Sequence, residues 1–170
     1  MMDPMSNRVT RTCLAVAAAI WLPLAASAQG TDVAFAGLKG DSSAPVEIES
    51  DKLEVNQAEG FAIFTGNVRV KQGPMRMAAP QMRVDQVAGG TGIERIHATG
   101  GVTLANGAEA AESREATYTV STGEIVMTTD VLLTQGANTI AGQRLVFDID
   151  SGTGRMEGRV QTVYKPGSGQ

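Results

Sequence analysis

The sequence predicts an all-β protein in which four repeated multi-strand units stack into an open jelly-roll, or flattened solenoid. Three observations carry this. The stretch FTGNVRVKQG, 64–73, alternates apolar and polar residues up to a glycine-bounded turn, which marks a half-buried strand. The pattern returns as ATGGVTLANG at 98–107, MTTDVLLTQG at 127–136 and MEGRVQTVYKPG at 156–167. Each copy is preceded by an eight-residue block: IESDKLEV at 48–55, MAAPQMRV at 77–84, AESREATY at 111–118 and IAGQRLVF at 140–147. The blocks start 29, 34 and 29 residues apart, a period that signals a repeat architecture.

In chain order, residues 1–28 read as a cleaved signal peptide. Arg8 and Arg11 form a positive n-region, CLAVAAAIWLPLAASA supplies the apolar run, and Ala26-Ser27-Ala28 gives the small-x-small pattern for cleavage between Ala28 and Gln29. A membrane anchor is the alternative. Pro23 breaks the run, which falls short of the ~20 apolar residues a span needs. Cys13 is the single cysteine and leaves with the signal, so no disulfide and no cysteine nucleophile is expected in the exported chain. Residues 29–45 show no period and read as a flexible leader. The β domain is expected over 46–165, and 166–170 as a disordered tail.

Within each block the apolar period slips by one residue between the third and sixth positions. A slip of this kind implies a corner or bulge at which the chain turns while keeping its apolar side inward. The third position is always small: Ser50, Ala79, Ser113 and Gly142. In the second half of the unit Val68, Val102, Val131 and Val160 share one position. One segment competes with this reading. NGAEAAESREATY, 106–118, has helical composition, but propensity is weak against the repeat alignment, and strand is expected.

A unit of this length cannot bury its own apolar face, whereas a stack of units can. The expected lining is Val46, Ile48, Leu53, Val55, Phe64, Val68 and Val70 in the first unit. Met77, Met82, Val84, Val102 and Leu104 follow in the second, Tyr118, Met127, Val131 and Leu133 in the third, and Phe147 in the fourth. A closed core is the default reading of such a lining, and a ligand groove is the other. Small third positions and few aromatics (4% of residues) favour a groove. The terminal strands, VEIES at 46–50 and RVQTVYK at 159–165, present free edges. Unlike end surfaces join head to tail.

Other chemistry is poorly provided for. The formal net charge is −4 with no basic block, which argues against nucleic acid. His97 is the single histidine, so no metal site is expected. Asp148 and Asp150 in FDIDSGTG read as solvated residues leading into a turn. TGGVTLANG and AGGTG lack the lysine and helix of a phosphate loop, and no G-x-S-x-G elbow is present. No cofactor and no catalytic residues are expected. A structural or adhesion module with a dry core is the alternative function. A β-helical polysaccharide-acting enzyme is a third, but it would need carboxylates clustered on one face.

The string VEIESDKLEV followed by FAIFTGNVRVKQG resembles the OstA-like, LptA-type family of periplasmic lipopolysaccharide transport proteins. Ile48-Glu49-Ser50-Asp51 and Phe64–Gly73 match its two hallmarks in order and spacing, and the likeness covers roughly 46–165. It is fullest in the first unit. Asp51 becomes Pro80, Arg114 and Gln143 in later units, and Asn67 becomes Gly101, Asp130 and Arg159. The resemblance implies a twisted open β-jelly-roll whose apolar groove holds lipid A acyl chains. It implies a periplasmic, non-enzymatic bridge in outer-membrane assembly of Gram-negative cells. The implied partners are an inner-membrane OstA-like protein at one end, an outer-membrane β-barrel protein at the other, and further copies of the chain head to tail, all joined by edge-strand pairing.

Overall fold

The structure is a computed structural model and describes residues 31–34, 38–107 and 109–165. The expected signal peptide with its Ala28–Gln29 cleavage point, and the expected tail at 166–170, lie outside the described residues. Among the described residues eleven strands form one antiparallel sheet. They are β1 (Thr31–Ala34), β2 (Val46–Glu49), β3 (Lys52–Asn56), β4 (Phe61–Gln72), β5 (Met75–Gln86) and β6 (Ile93–Asn106), then β7 (Glu109–Thr119), β8 (Glu124–Gln135), β9 (Asn138–Asp148), β10 (Thr153–Glu157) and β11 (Gln161–Val163). The segment of helical composition is strand β7, as the repeat alignment requires. Cross-strand partners, not local preference, decide the state of such a segment.

Each repeat unit is a long hairpin bent at its middle. The ladders break at Thr65/Val68 between β4 and β5, at Thr99/Val102 between β6 and β7, and at Thr128/Val131 between β8 and β9. At each break two residues of one strand oppose one of the next, which is a β-bulge. The two-residue side is left-handed in every unit: Gly66-Asn67, Gly100-Gly101, Thr129-Asp130 and Gly158-Arg159 all have positive φ. The one-residue side is Pro80, Arg114 or Gln143, the fourth position of the block. In the first unit β2 and β3 take separate places on β4, and the equivalent fourth residue, Asp51, lies between them.

The corners double the sheet back on itself. Half-sheet A contains β3, the 61–65 part of β4, its equivalents onward, and β10. Half-sheet B contains β2, the 68–72 part of β4, its equivalents onward, and β11. The halves face each other, and Tyr118 at the far end of A donates to Gln72 Oε1 at the far end of B over 2.6 Å. Between them lies one buried apolar cluster running through all four units, from Val68 and Val70 to Leu145, Phe147 and Met156.

Of the expected leader 29–45, the structure describes residues 31–34 and 38–45. β1 pairs with β10, Thr31 opposite Met156 and Ala34 opposite Thr153, and Leu38 is buried in the core. Residues 38–44 meet the rest of the chain mainly through backbone groups, with the Leu38 and Ser42 side chains added, so no apolar period marks them. The expectation of free terminal edges is modified. β1 covers the edge of β10, while β11 is short and adds to β9.

Candidate functional site: the interior between the half-sheets

The interior is built by inward positions that alternate along each strand. On B these run Val68, Val70, Gln72 in β4 and Val102, Leu104, Asn106 in β6; on A they run Ile96, Ala98 in β6 and Ala116, Tyr118 in β7. Twelve residues expected to line the interior are buried there: Val68, Val70, Met77, Met82, Val84, Val102, Leu104, Tyr118, Met127, Val131, Leu133 and Phe147. Val46, Ile48 and Phe64 are partly buried against the same cluster.

Leu53 and Val55 depart from that expectation. They lie opposite Phe64 and Ala62, on the inner face, but are 52% and 55% exposed. The physical reason is position: β3 is the last strand of half-sheet A, and among the described residues no strand lies beyond it to cover the interior. The stack therefore ends at β2–β3 in an uncovered apolar face made by these two residues, with Val46, Ile48 and Phe64 behind them.

The small third positions are explained by the corners and not by a cavity. Ala79, Ser113 and Gly142 are buried where the strands bulge. Ser113 Oγ donates to the Glu115 carbonyl at 2.8 Å across the bulge. A Cβ on Gly142 would lie 2.7 Å from Met156 Cγ. The family-hallmark pair Asp51 and Asn67 has the same local role: Asn67 Nδ2 donates to Asp51 Oδ2 at 2.8 Å, and Asp51 N donates to the Gly66 carbonyl at 2.9 Å. In the third unit the pair is an ion pair, Arg114 Nε to Asp130 Oδ2 at 2.9 Å.

Most charge lies on the outer face; Glu109, opposite Asn106, instead continues the inward parity of Ala111, with Oε2 buried. Lys71–Glu47, Arg83–Asp85 and Arg144–Glu157 pair on the outer face at 3.3, 2.8 and 3.0 Å, and Arg83 also lies over the Phe61 ring at 3.8 Å. His97 Nδ1 meets Thr117 Oγ1 at 3.1 Å on the neighbouring strand. Asp148 accepts from Ser151 N at 2.7 Å, and this hydrogen bonding holds its carboxyl below the usual value. Burial pushes the Tyr118 hydroxyl up to about 12, against the lowering effect of Gln72. Among the described residues no group of three His, Cys, Asp or Glu side chains could hold a metal ion.

Sequence reasoning missed the polar rim of B. Gln72 and Asn106 are buried polar residues that continue the inward alternation of Val68-Val70 and Val102-Leu104. Their inward parity was the available signal. Asp150, expected to be merely solvated, accepts hydrogen bonds from Ser42.

An open, bent antiparallel sheet folded around an apolar interior, with its ion pairs outside, defines an open β-jelly-roll. The family model described as LptA/(LptD N-terminal domain) LPS transport protein matches residues 47–153, and the chain belongs to that family. An uncharacterized protein of Rhizobium meliloti (strain 1021) is 36% identical over 155 residues, 85% of this chain and 83% of its own length. The lipopolysaccharide export system protein LptH of Pseudomonas aeruginosa is 24% identical over 151 residues, 82% of this chain and 85% of that protein. The crystal structure of LptH, titled the LptA homologous periplasmic component of a lipopolysaccharide transport device, superposes with a TM-score of 0.66 at 19% identity. It covers 75% of this chain and 99% of that one. This likeness shows that the fold is the same.

Proposed function

We propose that the protein is a non-enzymatic periplasmic carrier of lipopolysaccharide, shielding lipid A acyl chains between its two half-sheets on the way from inner to outer membrane. The observation that carries this reading is the continuous apolar interior that runs through all four units and lies uncovered at the β2–β3 end. Each acyl methylene costs about 0.8 kcal/mol in water, so a chain of ~14 carbons costs on the order of 10 kcal/mol unshielded. A trough that is apolar along its whole length removes that cost at every step. Leu53 and Val55, with Val46, Ile48 and Phe64, form the end through which a neighbouring β domain continues the trough. That neighbour is a further copy of the chain or a related domain of an inner- or outer-membrane partner, joined by strand addition. The twelve buried lining residues contact the chains once the halves part.

Photo-crosslinkers at Ile48 and Phe64 should capture lipopolysaccharide in cells, and crosslinkers at the outward Glu49 and Arg69 should not. Equal capture at both sets would sink the reading. Dense burial of Tyr118, Met127 and Leu145 favours a second reading, a structural module with a dry core. No capture at either set, with the protein folded and exported, would select it.

A further inference from the structure

The interior is closed on the side opposite the corners by the chain itself. Residues 38–44 run along the seam where the far rims of A and B meet. Leu38, 1% exposed, inserts into the core cluster. Lys39 offers its carbonyl to Asn106 Nδ2 of B at 2.6 Å. Gly40 N donates to the Ile149 carbonyl beyond A at 2.7 Å. Ser42 donates through N and Oγ to the Asp150 carboxylate at 2.9 and 2.7 Å. The carbonyls of Ser42 and Ala44 both accept from Gln72 Nε2, at 2.8 and 2.9 Å. One short segment thus ties the rim of A to the rim of B.

The chemistry of this segment has a definite order: an apolar side chain in the interior, then carbonyl oxygens on amide donors at the rim. An acyl chain with an ester or amide at its head has the same order. Gln72 and Asn106 are buried, and their amide donors need acceptors whenever the segment leaves, because an unpartnered buried donor bears the full cost of its desolvation. We propose that residues 38–44 are a displaceable strap that holds the lipid site shut by mimicking its occupant. An acyl lipid opens the seam by replacing Leu38 with a chain and the strap carbonyls with its own ester or amide oxygens on Gln72 and Asn106. This rests on the carrier reading above for the identity of the ligand, but not for the existence of the strap.

The test is a reversible staple. A Cβ on Gly40 would lie 3.9 Å from Ile149 Cβ, within the span of about 3.5–4.5 Å that a disulfide needs. In a Cys13→Ser background, Gly40→Cys with Ile149→Cys is compared oxidised and reduced, by capture of purified lipopolysaccharide and by uptake of the apolar dye anilinonaphthalene sulfonate. Oxidation should lower both about tenfold and reduction should restore them, as expected for a state locked out of its open form. Equal uptake of dye and lipid by the two forms overturns the strap. Dye uptake gated by oxidation with no lipopolysaccharide captured by either form leaves the strap standing and removes lipopolysaccharide as its ligand. Ser42→Ala with Asp150→Ala tests the same idea without touching the core. It should raise dye uptake and lipid capture severalfold, and unchanged values overturn the proposal.

Discussion

At the scale of single residues, Tyr118 and Gln72 carry the most information. The tyrosine is fully buried in an otherwise apolar layer, and its hydroxyl has a single partner across the seam at 2.6 Å. Tyr118→Phe keeps the ring but leaves Gln72 Oε1 without that donor, which should cost about 1–3 kcal/mol in urea unfolding at neutral pH. Burial of the same hydroxyl, which outweighs the lowering effect of Gln72, gives a pH signature. An unfolded tyrosine ionises near 10 and the folded one near 12, so between these values the unfolded chain releases a proton that the folded chain retains. The stability contributed by neutral Tyr118 is complete below pH 10 and lost as pH rises through 12. The gap in stability between wild type and Tyr118→Phe should therefore shrink over that window, and a constant gap would contradict the assignment. That this residue lines the interior was readable from the block alignment. That its hydroxyl would need Gln72, forty-six positions away, was not, because nothing local relates strands β4 and β7.

At the scale of elements, the corner is the unit of construction. The sequence showed it as a one-residue slip in apolar period, and the structure shows why the slip recurs. One strand spends two left-handed residues where its neighbour spends one. Gly100 combines φ +92° with a Cβ position 3.2 Å from Pro80 Cγ, a ring that cannot move aside easily. Gly136, in a hairpin turn at φ +58°, has nothing within 4 Å. Gly100→Ala should lower stability by roughly 1–3 kcal/mol, and Gly136→Ala by clearly less, since only the former adds crowding to the backbone strain. Equal shifts in the urea midpoint would mean that corner crowding is not what selects small residues there. The changing identities Asp51, Pro80, Arg114 and Gln143 follow from the same geometry. Each needs only to fill the space over its own bulge, by hydrogen bond, ring contact or ion pair, so a motif reading based on one aspartate could not extend past the first unit.

At the scale of the whole molecule, the two ends differ. Half-sheet A ends at β3 with Leu53 and Val55 uncovered, and at the other end β1 lies on the edge of β10. Half-sheet B ends at the short β11, followed by Tyr164, which is 71% exposed. Unlike ends joined in series give an open filament, not a closed ring. Leu53→Asp with Val55→Asp should abolish concentration-dependent association in sedimentation velocity. It should leave the unfolding free energy within about 0.5 kcal/mol, as expected for substitutions at exposed positions. Association that survives the double substitution would place the contact elsewhere.

The sequence by itself determined the all-β class, the four units, the corners and the inward set, because repetition and alternation are local properties that a strand imposes on its own residues. Only the tertiary structure decided whether that inward set is open or shut. Closure depends on Leu38, Ser42 and Ala44 meeting Gln72, Asn106 and Asp150 across the seam. Those contacts join backbone carbonyls and single polar side chains from distant parts of the chain, and backbone groups leave no period in a sequence to be read.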